Sequence, residues 1–376
     1  MRTKLSDIAQ VIMGQSPKSE FYNSSMGGLP FLQGRTTFGE IYPTFDTWTT
    51  AWNKEAIPGD VLFTVRAPVG DVNIAQQRIA LGRGVAAIRP LTTSTRYLFY
   101  LLYANKSLFT SASAGTIFES INKDAIDAIE LEVHTSDVQR HIVDAIGSID
   151  DLIENTMLKS RALERLILLK YRSFLSSSET IDLPLVDIAS FETGYSYSSN
   201  ELQPSQFGMV TIKSFDRNGG FKPDGIKPIV PAKKAWKTKT VESDDILVAH
   251  TDLTQEKEVV GNTVIVNGLY GFEELVMSMD LVRVRTTSKT IGQSLLYACL
   301  SDSFKKWALG HCSGTTVVHL SKKALERFVI RVPKEDADQV HLSESLSALL
   351  LEQRNLVQKS RELKEQRSLL LKKYFG

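Results

Sequence analysis

An internal repeat sets the strongest limit on the fold of this chain. The segment LSDIA at Leu5 recurs as LVDIA at Leu185, 180 residues later, and KSRALE at Lys159 recurs as KSRELK at Lys359, 200 residues later. Segments that recur in the same order at similar offsets are typical of a duplicated structural unit. The sequence therefore predicts two copies of one scaffold.

The two copies match again near their ends, but their middles differ. GTIFESINKDAIDAIELEV from Gly115 corresponds to GTTVVHLSKKALERFVIRV from Gly314, whereas residues 17–96 and 197–290 barely resemble each other. We therefore expect a common scaffold that carries two different recognition surfaces.

Each copy closes with a long amphipathic segment. Mostly apolar residues recur at alternating steps of four and three, with Ser160 and Ser360 at the same step. This 3.5-residue period is typical of coiled-coil packing, and it predicts two helices, each about 50 Å long, whose matching registers would allow them to pack on each other. Two ordinary helices that each cap a domain would show the same pattern. The residues predicted to form the helix-pair seam are Ile142, Ile146, Ile149, Ile153, Leu163, Ile167, Leu342, Leu346, Leu349, Leu356, Leu363 and Leu370.

The rest of the chain predicts mixed α/β (α+β) structure. Short strand-like runs bounded by Gly, Pro or Asp accompany two helical segments, 95–111 and 291–309. The predicted domains are two globular parts, 1–136 and 177–335, and two spacer helices, 137–176 and 336–376. The strand-like runs are 59–67, 84–90, 128–133, 244–250, 262–268, 279–285 and 327–332.

Composition and length exclude several classes of protein. The 376 residues are too many for one ordinary core, and the net charge of +1 gives no global field that would select a partner. Cys299 and Cys312 form neither a disulfide framework nor a zinc ligand set. The N-terminus lacks the features of a signal peptide, and the apolar stretch 97–104 is too short to span a bilayer. We expect a cytoplasmic protein without a membrane partner.

A glycine-rich stretch, RIALGRGVAAIRP at 78–90, has the spacing of a dinucleotide-binding turn. Gly82, Gly84 and Ala87 match G-x-G-x-x-G/A, but the apolar residues that follow end at Pro90 and predict a strand. A dinucleotide-binding turn must open a helix instead. The glycines are therefore expected to allow a tight turn or a close approach between backbone segments.

The chain contains none of several catalytic motifs. G-x-x-x-x-G-K-[ST], H-E-x-x-H, C-x-x-C and the N-P-P-[YF] or D-P-P-[YF] tetrapeptide of amino-methyltransferases are absent. KPDGIK at 222–227 has the Pro-Asp of some nucleases without their [DE]-x-K, and the neighbours His311 and Cys312 rarely face each other productively. We predict no catalytic residue, no metal site and no cofactor bound by this chain.

A lysine-rich segment lies in the middle of the second copy. Residues 213–239 carry seven lysines and one arginine against two acids, with Phe221 and Trp236 between them. Such a segment suits phosphate contacts and base-edge readout, although a solvated lysine-rich loop has the same composition. Its candidate DNA-binding residues are Lys213, Arg217, Lys222, Lys227, Lys233, Lys234, Lys237 and Lys239.

The first copy has no comparable basic segment. Residues 1–136 contain twelve basic and twelve acidic residues, so a recognition surface here must depend on placement. Arg and Gln side chains bond bidentately to base edges, and two different surfaces on a pair of long helices imply a bipartite ligand such as duplex DNA. The candidates are Gln15, Lys18, Gln33, Arg35, Arg66 and Arg83.

Three segments are similar to those of one known family. GDVLFTVRAPVGDVNIA (59–75) and GRGVAAIRP (82–90) are similar to a recurrent target-recognition segment, and INKDAIDAIELEV (121–133) to the segment that closes such a domain. Over nearly its whole length the chain resembles the specificity subunits (HsdS) of type I restriction-modification systems. The family's Pro-rich turn ending in Glu-Gln departs here: the first copy keeps only Gln139, and the second has Pro333 and Asp338-Gln339.

The resemblance implies two target recognition domains held apart by an antiparallel pair of helices. Each domain would read one half of an interrupted double-stranded DNA site, and the helices would fix the gap. It also implies a non-catalytic subunit that assembles with two methyltransferase subunits carrying S-adenosylmethionine and two ATP- and Mg-dependent restriction subunits. The partners would then take the target adenine out of the base stack.

Three other functions fit parts of the sequence. They are the recognition half of a fused restriction-methylation enzyme, a coiled-coil adaptor that binds only protein, and a nuclease without a recognised motif. Salt-dependent binding to duplex DNA separates a DNA reader from the adaptor, because phosphate contacts release counterions.

Overall fold

The computed structural model describes residues 1–113, 120–216, 219–252, 257–314 and 317–376. The chain divides into two compact units: unit 1 comprises residues 1–156 and 359–376, and unit 2 comprises residues 157–358. This division differs from the predicted linear segments, because each unit contains part of both long helices. Each unit is therefore closed by a stretch of chain from the other half of the sequence.

Unit 1 combines small sheets with short helices. Its strands are β1 (Arg2–Lys4), β2 (Ala9–Met13), β3 (Tyr22–Asn23), β4 (Leu29–Leu32), β5 (Trp48–Thr49), β6 (Glu55–Ala56), β7 (Val61–Thr64), β8 (Val72–Ile74), β9 (Ile79–Leu81), β10 (Val85–Pro90) and β11 (Glu130–Glu132). Its short helices are α1 (Leu5–Ile8), α2 (Thr95–Ala104), α3 (Lys106–Ser113) and α4 (Lys123–Asp127). The single helix predicted over 95–111 is thus broken at Asn105.

The main sheet of unit 1 has the order β2-β10-β7-β8 and is antiparallel. A second sheet, β3-β5-β4-β9-β6, contains the parallel pair β4 and β9. Residues 85–88 of β10 are buried because this strand has neighbours on both sides and packed faces. Their unbroken apolar run is the pattern of a central strand, so the strand predicted at 84–90 is confirmed.

Unit 2 repeats this plan. Its strands are β12 (Thr180–Pro184), β13 (Ala189–Thr193), β14 (Phe207–Val210), β15 (Lys227–Pro228), β16 (Thr240–Val241), β17 (Ile246–Ala249), β18 (Thr251–Asp252), β19 (Thr263–Ile265), β20 (Glu274–Met277), β21 (Leu281–Thr286), β22 (Cys312–Ser313), β23 (Val318–Leu320) and β24 (Val329–Pro333). Its short helices are α6 (Leu185–Ile188), α7 (Gln293–Gly310) and α8 (Lys322–Glu326). They complete the predicted mixed α/β composition.

The sheets of the two units correspond strand by strand. The order β13-β21-β17-β19 repeats β2-β10-β7-β8, and the parallel pair of β14 with β20 repeats that of β4 with β9. The middles of the two copies therefore share a topology although their sequences barely match. β15 lies antiparallel beside β14 as β5 does beside β4. The difference lies at the edges: β3 extends the second sheet of unit 1 beyond β5, and unit 2 has the additional sheet β18-β23-β22.

Two long helices connect and close the units. The first is α5 (Ser136–Ser177), and the second is α9 (Asp336–Phe375). In unit 1, Asp150 of α5 contacts Arg367 of α9, and His141 lies against Tyr374. The numbering rises along one helix as it falls along the other, so the helices are antiparallel there. The two long helices predicted from the apolar stripes are confirmed.

The turn before each long helix is held by a glutamine. The Gln139 Nε2 donates to the His134 carbonyl oxygen at 2.9 Å, and the Gln339 Nε2 donates to the Pro333 carbonyl oxygen at 2.8 Å. Backbone acceptors near a helix start need such partners when water is excluded. The glutamine that both copies retain therefore keeps the same structural role, although the surrounding turn sequences differ.

The predicted seam residues also pack into the globular cores. Ile142 and Ile146 join the core of unit 1, and Ile167, Leu342 and Leu346 join the core of unit 2, each among residues from strands and short helices. Apolar periodicity identifies the buried face of a helix but not what covers it. The stripe is therefore not solely a coiled-coil seam. Of the remaining seam residues, Leu370 and Leu349 pack against the two cores, Ile153 and Leu363 are buried, Ile149 is half-buried, and Leu163 and Leu356 line an open groove of unit 2.

Candidate nucleic-acid interface

Three loops of unit 1 converge at one edge of its sheets. The Gly14 N–H, directly after β2, donates to the Val85 carbonyl oxygen at 3.0 Å. The Gly82 N–H, in the turn between β9 and β10, donates to the Leu32 carbonyl oxygen at the end of β4, at 2.7 Å. These bonds place the ends of strands from both sheets side by side.

The glycines at this edge are required by the close approach of the backbone. A Cβ on Gly14 would lie 2.2 Å from the Gly82 carbonyl oxygen, and a Cβ on Gly84 would lie 2.1 Å from the Gln33 carbonyl oxygen. Neither distance leaves room for a side chain. The prediction that Gly82 and Gly84 allow a tight turn or a close backbone approach, with a strand and not a helix after them, is confirmed.

The structure brings five candidate DNA-binding residues of unit 1 to this edge. Gln15 follows Gly14, Gln33 and Arg35 follow Leu32, and Arg83 lies between Gly82 and Gly84. Arg66 follows β7, where the Val65 N–H donates to the Gly84 carbonyl oxygen at 3.0 Å. All are exposed, as is Lys18 slightly further along the chain. The five residues, called the unit 1 edge set below, are Gln15, Gln33, Arg35, Arg66 and Arg83.

Polar neighbours orient part of the unit 1 edge set. The Arg35 guanidinium bonds to the Asp71 carboxylate at 2.8 Å, and Lys106 bonds to the same carboxylate. Arg66 and Arg83 form no salt bridge with any residue that the structure describes. Cationic side chains in this position are available to an anionic or hydrogen-bonding ligand.

Unit 2 has the same edge with other side chains. The Gly194 N–H donates to the Leu281 carbonyl oxygen at 3.1 Å, and the Ser278 N–H donates to the Val210 carbonyl oxygen at 2.8 Å. A Cβ on Gly194 would lie 2.0 Å from the Ser278 carbonyl oxygen. Gly194 therefore corresponds to Gly14, and the backbone convergence is a property of the shared scaffold.

The lysine-rich segment joins β14 to β16 and passes this edge. Its described lysines are exposed except Lys239, which is half-buried and forms an ion pair with Glu192 of β13. Arg217 lies outside the described residues. The exposed set, called the lysine set below, consists of Lys213, Lys222, Lys227, Lys233, Lys234 and Lys237.

A carboxylate anchors the lysine-rich segment beside the edge. Glu201 accepts hydrogen bonds from the Tyr195 hydroxyl at 2.6 Å and from the Ala232 N–H at 2.9 Å, and the Lys233 N–H donates to the Tyr195 hydroxyl at 3.2 Å. These bonds, led by that from Tyr195, lower the pKa of Glu201 to about 2. The stretch that carries Lys233 therefore starts from a fixed point next to Gly194.

The two aromatic residues of the segment pack within unit 2. Trp236 lies against Phe207 with ring centroids 5.1 Å apart, and Phe221 stacks on Tyr270 at 5.1 Å. Aromatic packing of this kind stabilises a loop. The aromatics therefore shape the segment, while its lysines face solvent.

Sequence reasoning missed Met279 and His250. Met279 occupies in unit 2 the turn position that Arg83 has in unit 1, is 52% exposed, and its carbonyl oxygen lies 2.6 Å from the ring Nε2 of His250. The strand-like runs 279–285 and 84–90 were both recognised in the sequence. Aligning them on Arg89 and Arg285 places Met279 opposite Arg83.

The described residues hold no group of three or more His, Cys, Asp or Glu placed to bind a metal ion. Over the same residues, the structure contains no helix with the length and apolar character needed to span a membrane.

The first part of the chain matches a known protein family. Residues 1–165 match the family described as the type I restriction modification DNA specificity domain. This match covers less than half of the chain, and it agrees with the resemblance that the sequence motifs indicate.

Two curated relatives extend this likeness. The chain is 37% identical over 158 residues to the putative type I restriction enzyme MjaX specificity subunit of Methanocaldococcus jannaschii, which covers 42% of this chain and 37% of the relative. It is 22% identical over 188 residues to the type I restriction enzyme MjaIX specificity subunit of the same organism, covering 47% and 44%. The aligned part thus spans less than half the length of either relative.

A solved structure shares the whole fold. The type I restriction-modification system S subunit from M. genitalium superposes with a TM-score of 0.58 at 15% identity, covering 100% of this chain and 96% of that one. At this identity the likeness shows the fold alone. It confirms the predicted α+β architecture with two long helices.

Proposed function

We propose that the chain is the DNA sequence-specificity subunit of a type I restriction-modification complex and reads a bipartite, interrupted site. The observation that carries this proposal is the convergence of the unit 1 edge set around Gly14, Gly82 and Gly84, within the residues that match the DNA specificity domain family. The same edge in unit 2 carries the lysine set. Each unit therefore offers one surface for one half-site.

The two surfaces suit different parts of the recognition. Exposed Gln and Arg side chains on a rigid backbone suit bidentate bonds to base edges. The lysine set suits phosphate contacts, which fix the register on the duplex and make binding salt-dependent. In this assignment, the side chains of unit 1 contribute mainly to the reading of base edges. Unit 2 contributes a larger share of the binding to the phosphates of the DNA.

The chain is proposed to be non-catalytic and to act through partners. Two methyltransferase subunits would supply S-adenosylmethionine and methylate adenine, and two restriction subunits would supply ATP- and Mg-dependent cleavage. This chain would bind no cofactor itself. Its part is to select which adenine is presented, since chemistry on a base requires that the base leave the stack.

The proposal is tested by sequencing methyladenine in the genome of the host, with and without this gene. We expect a bipartite interrupted motif that disappears on deletion. A genome whose methylation motifs are unchanged by deletion, with the partner genes expressed, contradicts the proposal and favours the protein-binding adaptor.

Residue roles are separated by two sets of variants in the same assay. Arg66→Ala with Arg83→Ala is expected to relax one half-site of the motif, because each lost bidentate contact removes about 1–3 kcal/mol of discrimination. Lys233, Lys234 and Lys237→Gln should weaken binding of the purified chain to all duplexes and reduce its salt dependence. Lys239 is left intact because its ion pair with Glu192 is structural. The matched control changes three exposed lysines elsewhere in unit 2, Lys289, Lys306 and Lys323, to Gln.

We further propose that the length of the two long helices sets the number of base pairs between the half-sites. A heptad deletion tests this, but residues 146–152 and 346–352 are poor places for it, because Ile146 and Leu346 are core residues. Deleting 153–159 and 357–363 keeps the apolar register and spares those cores. We expect a shorter gap with both half-sites unchanged, whereas an unchanged gap in a folded variant contradicts the proposal.

A further inference from the structure

A buried network of charges joins both long helices of unit 1 to residues 33–46, called the recognition segment below, which connects β4 to β5. Arg367 of α9 donates to Asp150 of α5 at 3.0 Å and to Glu40 of the recognition segment at 3.0 Å. Its side chain is 10% exposed and that of Asp150 is 1% exposed. The Tyr100 hydroxyl also donates to Asp150, at 2.6 Å. Arg367 thus lies where two helices and the recognition segment meet.

The charges in this network depend on one another. Lys364 of α9 forms an ion pair with Glu40 at 2.5 Å. Burial opposes ionisation of Glu40, but Lys364 and Arg367 lower its pKa below the usual value. Burial raises the pKa of Asp150 despite its bonds to Tyr100 and Arg367. A buried charge without its partner is costly, so these groups must stay together. The position of Glu40 is therefore fixed relative to α9.

The recognition segment runs from the edge of the sheets to α9. Arg35, at its start, is held by Asp71 at 2.8 Å. Next to Glu40, the Gly39 N–H donates to the Asn73 Oδ1 at 3.0 Å, and the Asn73 Nδ2 donates back to the Gly39 carbonyl oxygen at 3.0 Å. Both attachments are to residues at or beside β8. Through Glu40, α9 adds a third attachment to the short segment that carries Gln33 and Arg35.

The scaffold itself does not require these charges. In unit 2, the positions 200 residues after Asp150 and 200 residues before Arg367 are Leu350 and Ile167, and both belong to one apolar core. At this pair of positions, apolar packing is therefore sufficient to join the two helices. Charges at the same place in unit 1 point to a requirement of unit 1 alone.

We infer that Lys364 and Arg367 are positioning residues for sequence recognition: through Glu40 they hold the recognition segment, and with it Gln33 and Arg35, in the geometry that reads one half-site. The inference rests on the proposed function. It assigns a role in specificity to the last part of α9, which is far in sequence from the recognition edge.

The test uses the full chain in its host and maps the methylated motif for Glu40→Ala and Lys364→Met. Both changes leave the buried Asp150–Arg367 pair intact, so the helices keep their partners. Glu40→Asp is the conservative variant. The matched control is Arg354→Met, which removes an ion pair between α9 and Asp244 in unit 2, next to the start of β17 and away from the recognition edge.

We expect Glu40→Ala and Lys364→Met to reduce discrimination about tenfold at one or more positions of a single half-site, the one that Arg66 and Arg83 variants also relax. Glu40→Asp should recover part of it, and Arg354→Met should leave both half-sites unchanged. If Glu40→Ala keeps the wild-type motif and lowers only the methylated fraction, Glu40 is merely structural and the inference is overturned. A wild-type strain without any bipartite motif overturns the proposed function, and this inference with it.

Discussion

The two units have the same sheets but join them differently to the long helices. In both, a buried aspartate at the start of one strand of the main sheet binds an arginine on the adjacent strand. Asp60, before β7, binds Arg89 of β10 at 2.8 Å, and Asp245, before β17, binds Arg285 of β21 at 2.8 Å. At the helices the correspondence ends, because Asp150 and Arg367 in unit 1 take the places of Leu350 and Ile167 in unit 2. The aspartate–arginine pair between strands is therefore part of the shared scaffold, whereas the Asp150–Arg367 pair between helices is particular to unit 1.

The recognition edges show the same separation. The backbone convergence at Gly14 and at Gly194 is common to both units. The side chains presented there differ: Arg83 in one turn corresponds to Met279 in the other. A duplicated scaffold can thus keep its backbone hydrogen bonds while its exposed residues change, since exposed positions carry few packing constraints.

The largest expected loss of stability follows when Asp150 of unit 1 is replaced by leucine, the residue at the equivalent position of unit 2. Asp150→Leu leaves Arg367 without its buried partner, and we expect the free energy of unfolding of unit 1 to fall by about 3 kcal/mol. Denaturant unfolding followed by hydrogen exchange in α2 measures this loss. The double variant Asp150→Leu with Arg367→Ile reproduces the pair of unit 2 and should recover part of the stability, because Glu40 keeps Lys364 while the buried Tyr100 hydroxyl loses its acceptor. A double variant as unstable as the single one would show that the two units are not equivalent at this place.

The next effect tests the contact that the units share. Asp60→Asn and Asp245→Asn each remove one charge from a buried ion pair, and we expect losses of about 1.5–3 kcal/mol that are similar in the two units. Hydrogen exchange in β7 reports the first variant and exchange in β17 reports the second. If only one variant loses stability, the ion pair is not a common element of the scaffold.

The sequence predicted those parts of the fold whose signals are local. The apolar run at 84–90 and the stripe of the long helices depend on burial of neighbouring residues, and both are found as strand β10 and helices α5 and α9. The shared topology of the middles was not predicted, because β4 and β9 pair across some fifty residues and leave no local pattern. Periodicity also did not reveal that Ile146 and Leu346 face globular cores as well as a helix.

The site was predicted less completely than the fold. Exposed Arg and Gln residues were selected by chemical type, and the structure brings five of them to one edge because Gly14, Gly82 and Gly84 draw three loops together. Nothing in the sequence indicated that Arg367 contacts Glu40, more than 300 positions away. Contacts at such separation are set by the packing of whole elements and not by neighbouring residues.

The smallest expected effect is local to unit 2, where Glu201 anchors the lysine-rich segment and unit 1 has Gln15 in the place of Tyr195. The folded protein lowers the pKa of Glu201 from its usual 4.5 to about 2. Because the ionised form is the one that is bound, its contribution is complete above about pH 4.5 and is lost as the pH falls toward 2. We expect the Ala232 N–H to stay protected from hydrogen exchange at pH 4 and to lose protection as the pH approaches 2.

Glu201→Gln separates this effect from general acid unfolding. The variant keeps the shape of the side chain but has no charge to titrate, so protection of the Ala232 N–H should be weaker at neutral pH and show no step of its own in acid. Exchange in β7 of unit 1 should be the same in both proteins and serves as the internal reference. An acid-dependent step that persists in Glu201→Gln would assign the titration to another group, and the lysine-rich segment would then be held by its aromatic packing on Phe207 and Tyr270.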